Sequence, residues 1–99
     1  MIQSEKDYLL IDVRNEKEVQ SSGIIPTAIN VPMHILFQGL TMSPDLLEET
    51  YKMPLPPKDK LIIVYCAKGS RSTAAFHFLR QMGYTNVKNY SGSYYDWQS

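Results

Sequence analysis

The sequence predicts an α/β domain with a mainly parallel sheet, on three observations. Two short apolar runs, Tyr8-Leu9-Leu10-Ile11-Asp12-Val13 and Leu61-Ile62-Ile63-Val64-Tyr65, lack the alternation of a half-exposed strand, as strands covered on both faces do. Strand-like and helix-like segments alternate along the whole chain, the pattern that places helices on the faces of a parallel sheet through right-handed crossovers. The 99 residues suffice for one core and not two, so residues 1–99 are read as a single three-layer domain.

Each element has a local cause. After the first strand, Asn15 offers an N-cap, Glu18 completes a reciprocal capping pattern, and Gly23 supplies a stop, which leaves room for a helix of two turns at most. Ala28-Ile29-Asn30-Val31 reads as a second strand bracketed by Pro26 and Pro32. Met33 to Thr41 shows no clean period. Ser43-Pro44-Asp45 is a strong helix start, with Leu46, Leu47, Thr50 and Tyr51 as its apolar stripe and Pro54, Pro56 and Pro57 as its end. The strand ending at Tyr65 leads directly into Cys66. Ser72 is placed to cap the next helix, in which Ala75, Phe78, Leu79 and Met82 share one face, His77 and Gln81 lie opposite, and Gly83 closes it. Val87 to Tyr90 is the last strand.

Composition removes several classes of function. Ten basic and ten acidic residues balance, so no general attraction to nucleic acid or to an anionic membrane surface is expected. The apolar runs are too short to span a bilayer, and Met1 to Asp7 lacks the basic and apolar pattern of a secretory signal. A single cysteine excludes an internal disulfide and a cysteine-rich zinc site. A reducing compartment, cytoplasm or mitochondrial matrix, suits such a chain.

The chemistry is concentrated at Cys66-Ala67-Lys68-Gly69-Ser70-Arg71-Ser72. In open parallel sheets the site lies at the carboxyl ends of the strands, and Cys66 stands at such an end. A cysteine there is commonly just a small buried hydrophobe. This one is followed by Gly69, which gives the backbone room, by the cations Lys68 and Arg71, and by a helix start. Backbone N–H groups from Ala67 to Ser72, together with the positive end of the helix, can converge on the sulfur and favour thiolate, drawing its pKa below the free value of about 8.5.

Asp12-Val13-Arg14, Gly23-Ile24-Ile25-Pro26-Thr27-Ala28-Ile29-Asn30-Val31-Pro32, Tyr65 to Ser72, Gly83-Tyr84 and Asn89-Tyr90-Ser91-Gly92-Ser93 through Trp97 occur in the order of the signatures of rhodanese domains. The chain resembles that family, and in detail its single-domain thiosulfate sulfurtransferases. The resemblance implies a cycle in which Cys66 takes the outer sulfur of an anionic donor such as thiosulfate and passes it, as a persulfide, to glutathione, thioredoxin or cyanide, with no metal or organic cofactor. It implies that Ala67, Lys68, Gly69, Ser70, Arg71 and Ser72 bind the donor, and that Asp12 and Arg14 support the sheet end. Phosphatases and arsenate reductases related to the family place five residues between cysteine and arginine, whereas four separate Cys66 from Arg71 here. A non-catalytic regulatory module is the other reading, and retention of Cys66 argues against it. His34 and His77 are not read as general bases; Tyr94, Tyr95 and Trp97 are placed to line the cleft mouth, but aromatics near a C-terminus are more often packing residues.

Two departures from the family pattern stand out. Rhodanese domains usually begin with a further strand and helix, for which the seven residues before Tyr8 leave no room. Either the sequence is a short form or that unit is truly absent; its loss is expected to leave the strand near Val87 to Tyr90 with an open edge, which would reduce stability or admit a homodimer. The turn before the second strand carries Ile24 where relatives have histidine and Thr27 where glycine is common.

Overall fold

A computed structural model describes residues 8–42, 44–53, 55–67 and 70–90. Four strands, β1 (Tyr8–Asp12), β2 (Ile29–Asn30), β3 (Leu61–Tyr65) and β4 (Val87–Asn89), form one sheet in the order β2-β1-β3-β4. Every pairing is parallel: Ile11 opposes Ile29, Tyr8 through Asp12 oppose Leu61 through Tyr65, and Ile62 opposes Val87. The α/β class and the parallel sheet are therefore as the sequence predicts. Among the described residues β4 pairs with β3 alone and forms one edge of the sheet.

The helices are α1 (Glu16–Ser22), α2 (Met33–Thr41), α3 (Pro44–Tyr51) and α4 (Ser70–Gln81). Leu36 of α2, Leu47 of α3, and Ala75 and Leu79 of α4 are fully buried with Ile11, Ile62 and Val64 in the main core. The opposite face of the sheet carries a smaller cluster, Ile25 and Tyr65, flanked by Leu10, Ala28 and Tyr90. Alternation along β3 explains the division, since Ile62 and Val64 point one way and Tyr65 the other.

Four local readings are corrected. Met33 to Thr41, which shows no clean period, is helix α2. Met33, Leu36, Phe37 and Leu40 do recur at helical spacing, but Ile35 blurs the stripe and Gly39 reads as a breaker. Gly39 instead marks close contact of two helices, because a Cβ there would lie 2.4 Å from Leu47 Cγ. Thr50, placed in the stripe of α3, is exposed. Ser72 does not cap α4: the helix begins at Ser70 and Ser72 is buried in its first turn. The second strand is also shorter than the proline brackets imply.

The α1 capping pattern is present, with the Asn15 N–H donating to Glu18 Oε1 at 3.1 Å. Gly23 ends that helix with a φ of 92°, in the region open mainly to glycine.

Candidate functional site

The carboxyl ends of β1 and β3 lie side by side and carry the two motifs that the sequence singles out. The Val13 N–H donates to the Tyr65 carbonyl at 2.9 Å, which locks the Asp12-Val13-Arg14 segment against the start of the Cys66 loop. Tyr65 is anchored on the other face, its phenolic oxygen accepting the Ile25 N–H at 3.1 Å. Burial pushes that phenol well above its ordinary titration range.

Cys66 is wholly covered, at 0% exposure. Its sulfur nevertheless has polar partners. The Ser72 backbone N–H points at Sγ from 3.4 Å, and the Ser72 hydroxyl lies 3.7 Å from it. Ser72 can approach in this way because α4 starts only two residues earlier, which places its N–H in the first turn of the helix. A sulfur at this point lies at the positive end of a 12-residue helix. Ala67 is half-buried and Ser70 exposed at the helix start. Lys68 and Gly69 lie outside the described residues, as do Tyr94, Tyr95 and Trp97.

Arg71 departs from the expectation of a cation given over to the loop. Its Nη1 and Nη2 donate to Glu18 Oε1 and Oε2 at 2.5 and 2.9 Å, a two-pronged ion pair with α1. The hydrogen bonds from Arg71 hold the Glu18 carboxyl down at about 2, against an ordinary 4.5, and the pairing raises Arg71 in turn. Glu18 is thus the residue that sequence reasoning missed at this site. Its spacing from Asn15 marks it as part of a helix cap, and one carboxylate serves both duties.

Asp12 and Arg14 form a buried ion pair. Asp12 is 0% exposed and Arg14 2%. Arg14 Nη2 donates to Asp12 Oδ2 at 2.7 Å, Nε donates to the same carboxylate at 3.0 Å, and the Arg14 N–H donates to Oδ1 at 2.9 Å. The guanidinium then reaches α1, donating to Ser22 Oγ at 2.7 Å and to the Gly23 carbonyl at 2.8 Å. Asn30 Nδ2 donates to the carbonyls of Asp12 and Arg14, both at 3.0 Å, and so fastens β2 to the same corner. A buried ion pair is tolerable only when its remaining hydrogen-bonding capacity is met, and these contacts meet it.

Fold and site together define an α/β protein with a cysteine loop at the end of a central parallel strand, the sulfur facing the first turn of the following helix. Residues 1–99 match the family described as Rhodanese-like domain, and the chain belongs to that family. It is 35% identical over 89 residues to a human protein named thiosulfate:glutathione sulfurtransferase, covering 89% of this chain and 76% of that one. It is 37% identical over 89 residues to a mitochondrial thiosulfate sulfurtransferase of Saccharomyces cerevisiae, covering 90% of this chain but only 59% of the yeast protein. The solved structure of a human single-domain sulfurtransferase superposes with a TM-score of 0.83 at 32% identity, covering 93% of this chain and 81% of that one. Among the described residues, no helix is long and apolar enough to cross a membrane.

Proposed function

We propose that the chain is a thiosulfate sulfurtransferase in which Cys66 carries the transferred sulfur. The observation that carries this reading is the Ser72 N–H held 3.4 Å from Cys66 Sγ at the start of α4, an arrangement that favours negative charge on sulfur. The names of the human and yeast relatives support the substrate class.

In the first half-reaction the Cys66 thiolate attacks the outer sulfur of thiosulfate. A bond forms from Sγ to that sulfur as its bond to the sulfonate sulfur breaks, and sulfite departs with the electron pair. Cys66 is left as an anionic persulfide, still facing the Ser72 N–H. In the second half-reaction an acceptor thiolate such as glutathione, or cyanide, attacks the terminal sulfur and Cys66 leaves as thiolate. Donor, leaving group and persulfide are all anions, so the same donors serve each stage. Ala67, Lys68, Gly69, Ser70, Arg71 and Ser72 form the donor-binding loop, while Asp12 and Arg14 hold the strand end beneath it. Because Cys66 is fully covered, entry of the donor requires the surrounding atoms to part. The proposed setting is the mitochondrial matrix or the cytoplasm.

The test is to incubate the protein with thiosulfate and then with cyanide or glutathione, measuring thiocyanate or glutathione persulfide beside a phosphate-ester assay. Turnover that disappears in Cys66→Ser supports the reading. Phosphate release without sulfur transfer overturns it.

A further inference from the structure

Arg71 is the loop cation nearest in sequence to Ser72, and its charge is already shared. Both terminal nitrogens are committed to Glu18 in a parallel fork, the geometry in which guanidinium and carboxylate bind most specifically. The carboxylate is itself fixed by the Asn15 N–H, and its helix is tied through Ser22 and Gly23 to the buried Arg14. Surface ion pairs usually cost side-chain freedom on forming. Here that cost is reduced, because Glu18 is held by the Asn15 N–H as well as by Arg71. The result is an alternation of charge across the two ion pairs, Asp12 negative and Arg14 positive, Glu18 negative and Arg71 positive. Arg71 directly precedes Ser72, whose N–H points at Cys66 Sγ from 3.4 Å, and negative charge at Cys66 also favours the protonated Arg71.

We propose that Glu18 is a specificity-determining positioning residue for sulfur transfer: its carboxylate orients the Arg71 guanidinium and offsets part of its charge, so that the loop holds a dianion without trapping it. This rests on the sulfurtransferase reading above. A loop in which Arg71 kept its full, unopposed charge would bind thiosulfate tightly, and would bind the departing sulfite equally tightly. Uniform binding of that kind lowers KM without raising kcat. With Glu18 in place the donor meets a guanidinium of fixed direction and reduced net charge.

The experiment compares wild type with Glu18→Gln, which keeps the side-chain shape and removes the charge, and with Glu18→Asp, which keeps the charge and shortens the reach. For Glu18→Gln the KM for thiosulfate falls about fivefold, sulfite inhibits at correspondingly lower concentration, and kcat falls with slower release. Glu18→Asp shifts KM less and in the same direction. Sulfite affinity is also measured by calorimetry in Cys66→Ser and Cys66→Ser/Glu18→Gln, where no covalent step occurs, and it rises with loss of the Glu18 charge. A KM and a sulfite affinity that stay unchanged, or weaken, in the charge-removed proteins overturn the inference. If Glu18→Gln does not fold, the Glu18→Asp shift decides alone. Absence of thiocyanate from wild type overturns the sulfurtransferase reading instead, and the calorimetric comparison still reports on Glu18.

Discussion

Ser72 meets Cys66 twice, through a backbone N–H 3.4 Å from the sulfur and a hydroxyl 3.7 Å from it. The pairing spans the whole loop, from the residue that follows β3 to the first turn of α4. It therefore links loop closure to sulfur charge. The hydroxyl can be removed while the N–H stays, which separates the two contributions. Ser72→Ala is predicted to lower kcat/KM for thiosulfate about fivefold to tenfold, the equivalent of roughly 1 kcal/mol for one hydrogen bond to a charged group. Steady-state kinetics with thiosulfate and cyanide check this, and an unchanged kcat/KM would assign the work to the backbone alone.

Asp12→Asn is predicted to be far more damaging to stability than to chemistry. The substitution leaves Arg14, 2% exposed, without its counter-charge. Breaking one side of a buried pair costs about 3–5 kcal/mol. Urea denaturation measures it, and a loss below about 1 kcal/mol would mean that Arg14 finds other compensation at the Ser22 and Gly23 contacts.

Thr27 adopts a φ of 77° in the turn before β2, a conformation that costs an L-residue roughly 1–2 kcal/mol. Glycine carries no such cost but loses more chain entropy on folding. Thr27→Gly is predicted to raise stability by up to about 1 kcal/mol while leaving KM unchanged. Matched denaturation curves test this, and a destabilised variant would show that the threonine hydroxyl, 3.5 Å from the Tyr8 hydroxyl, outweighs the backbone.

The Glu18 carboxyl is depressed from 4.5 to about 2 by its hydrogen bonds with Arg71. A group lowered on folding stabilises above its unfolded value and loses that contribution as pH falls through the folded one. The stability difference between wild type and Glu18→Gln should therefore be constant above pH 4.5 and vanish as pH falls toward about 2. Because both partners are about one-third exposed, the difference is small and declines with salt. A difference that grows on acidification would contradict the pairing.

Much of this architecture is legible in residue order. The runs at Tyr8 and Leu61 are apolar on both faces and so specify central strands, and Gly23 and Gly83 close their helices at positive φ. Pro44 opens α3 as its type demands. What escapes is what depends on contact at a distance. Helix α2 hides because Gly39 is small for the sake of Leu47, a residue on another helix. Ser72 looks like a cap because serine usually is one, and nothing in its neighbours shows that α4 starts at Ser70. The Glu18–Arg71 pair joins residues 53 positions apart, and only the folded chain, which brings Glu18 of α1 to the first turn of α4, reveals it.

The central claim is that the lone thiol is the sulfur carrier, and the most direct measurement is an intact-protein mass spectrum after treatment with thiosulfate and removal of excess reagent. The account predicts a gain of one sulfur atom, localised to the peptide containing Cys66, reversed by cyanide and absent from Cys66→Ser. An unmodified protein that still turns thiosulfate over, or the same gain in Cys66→Ser, would contradict it.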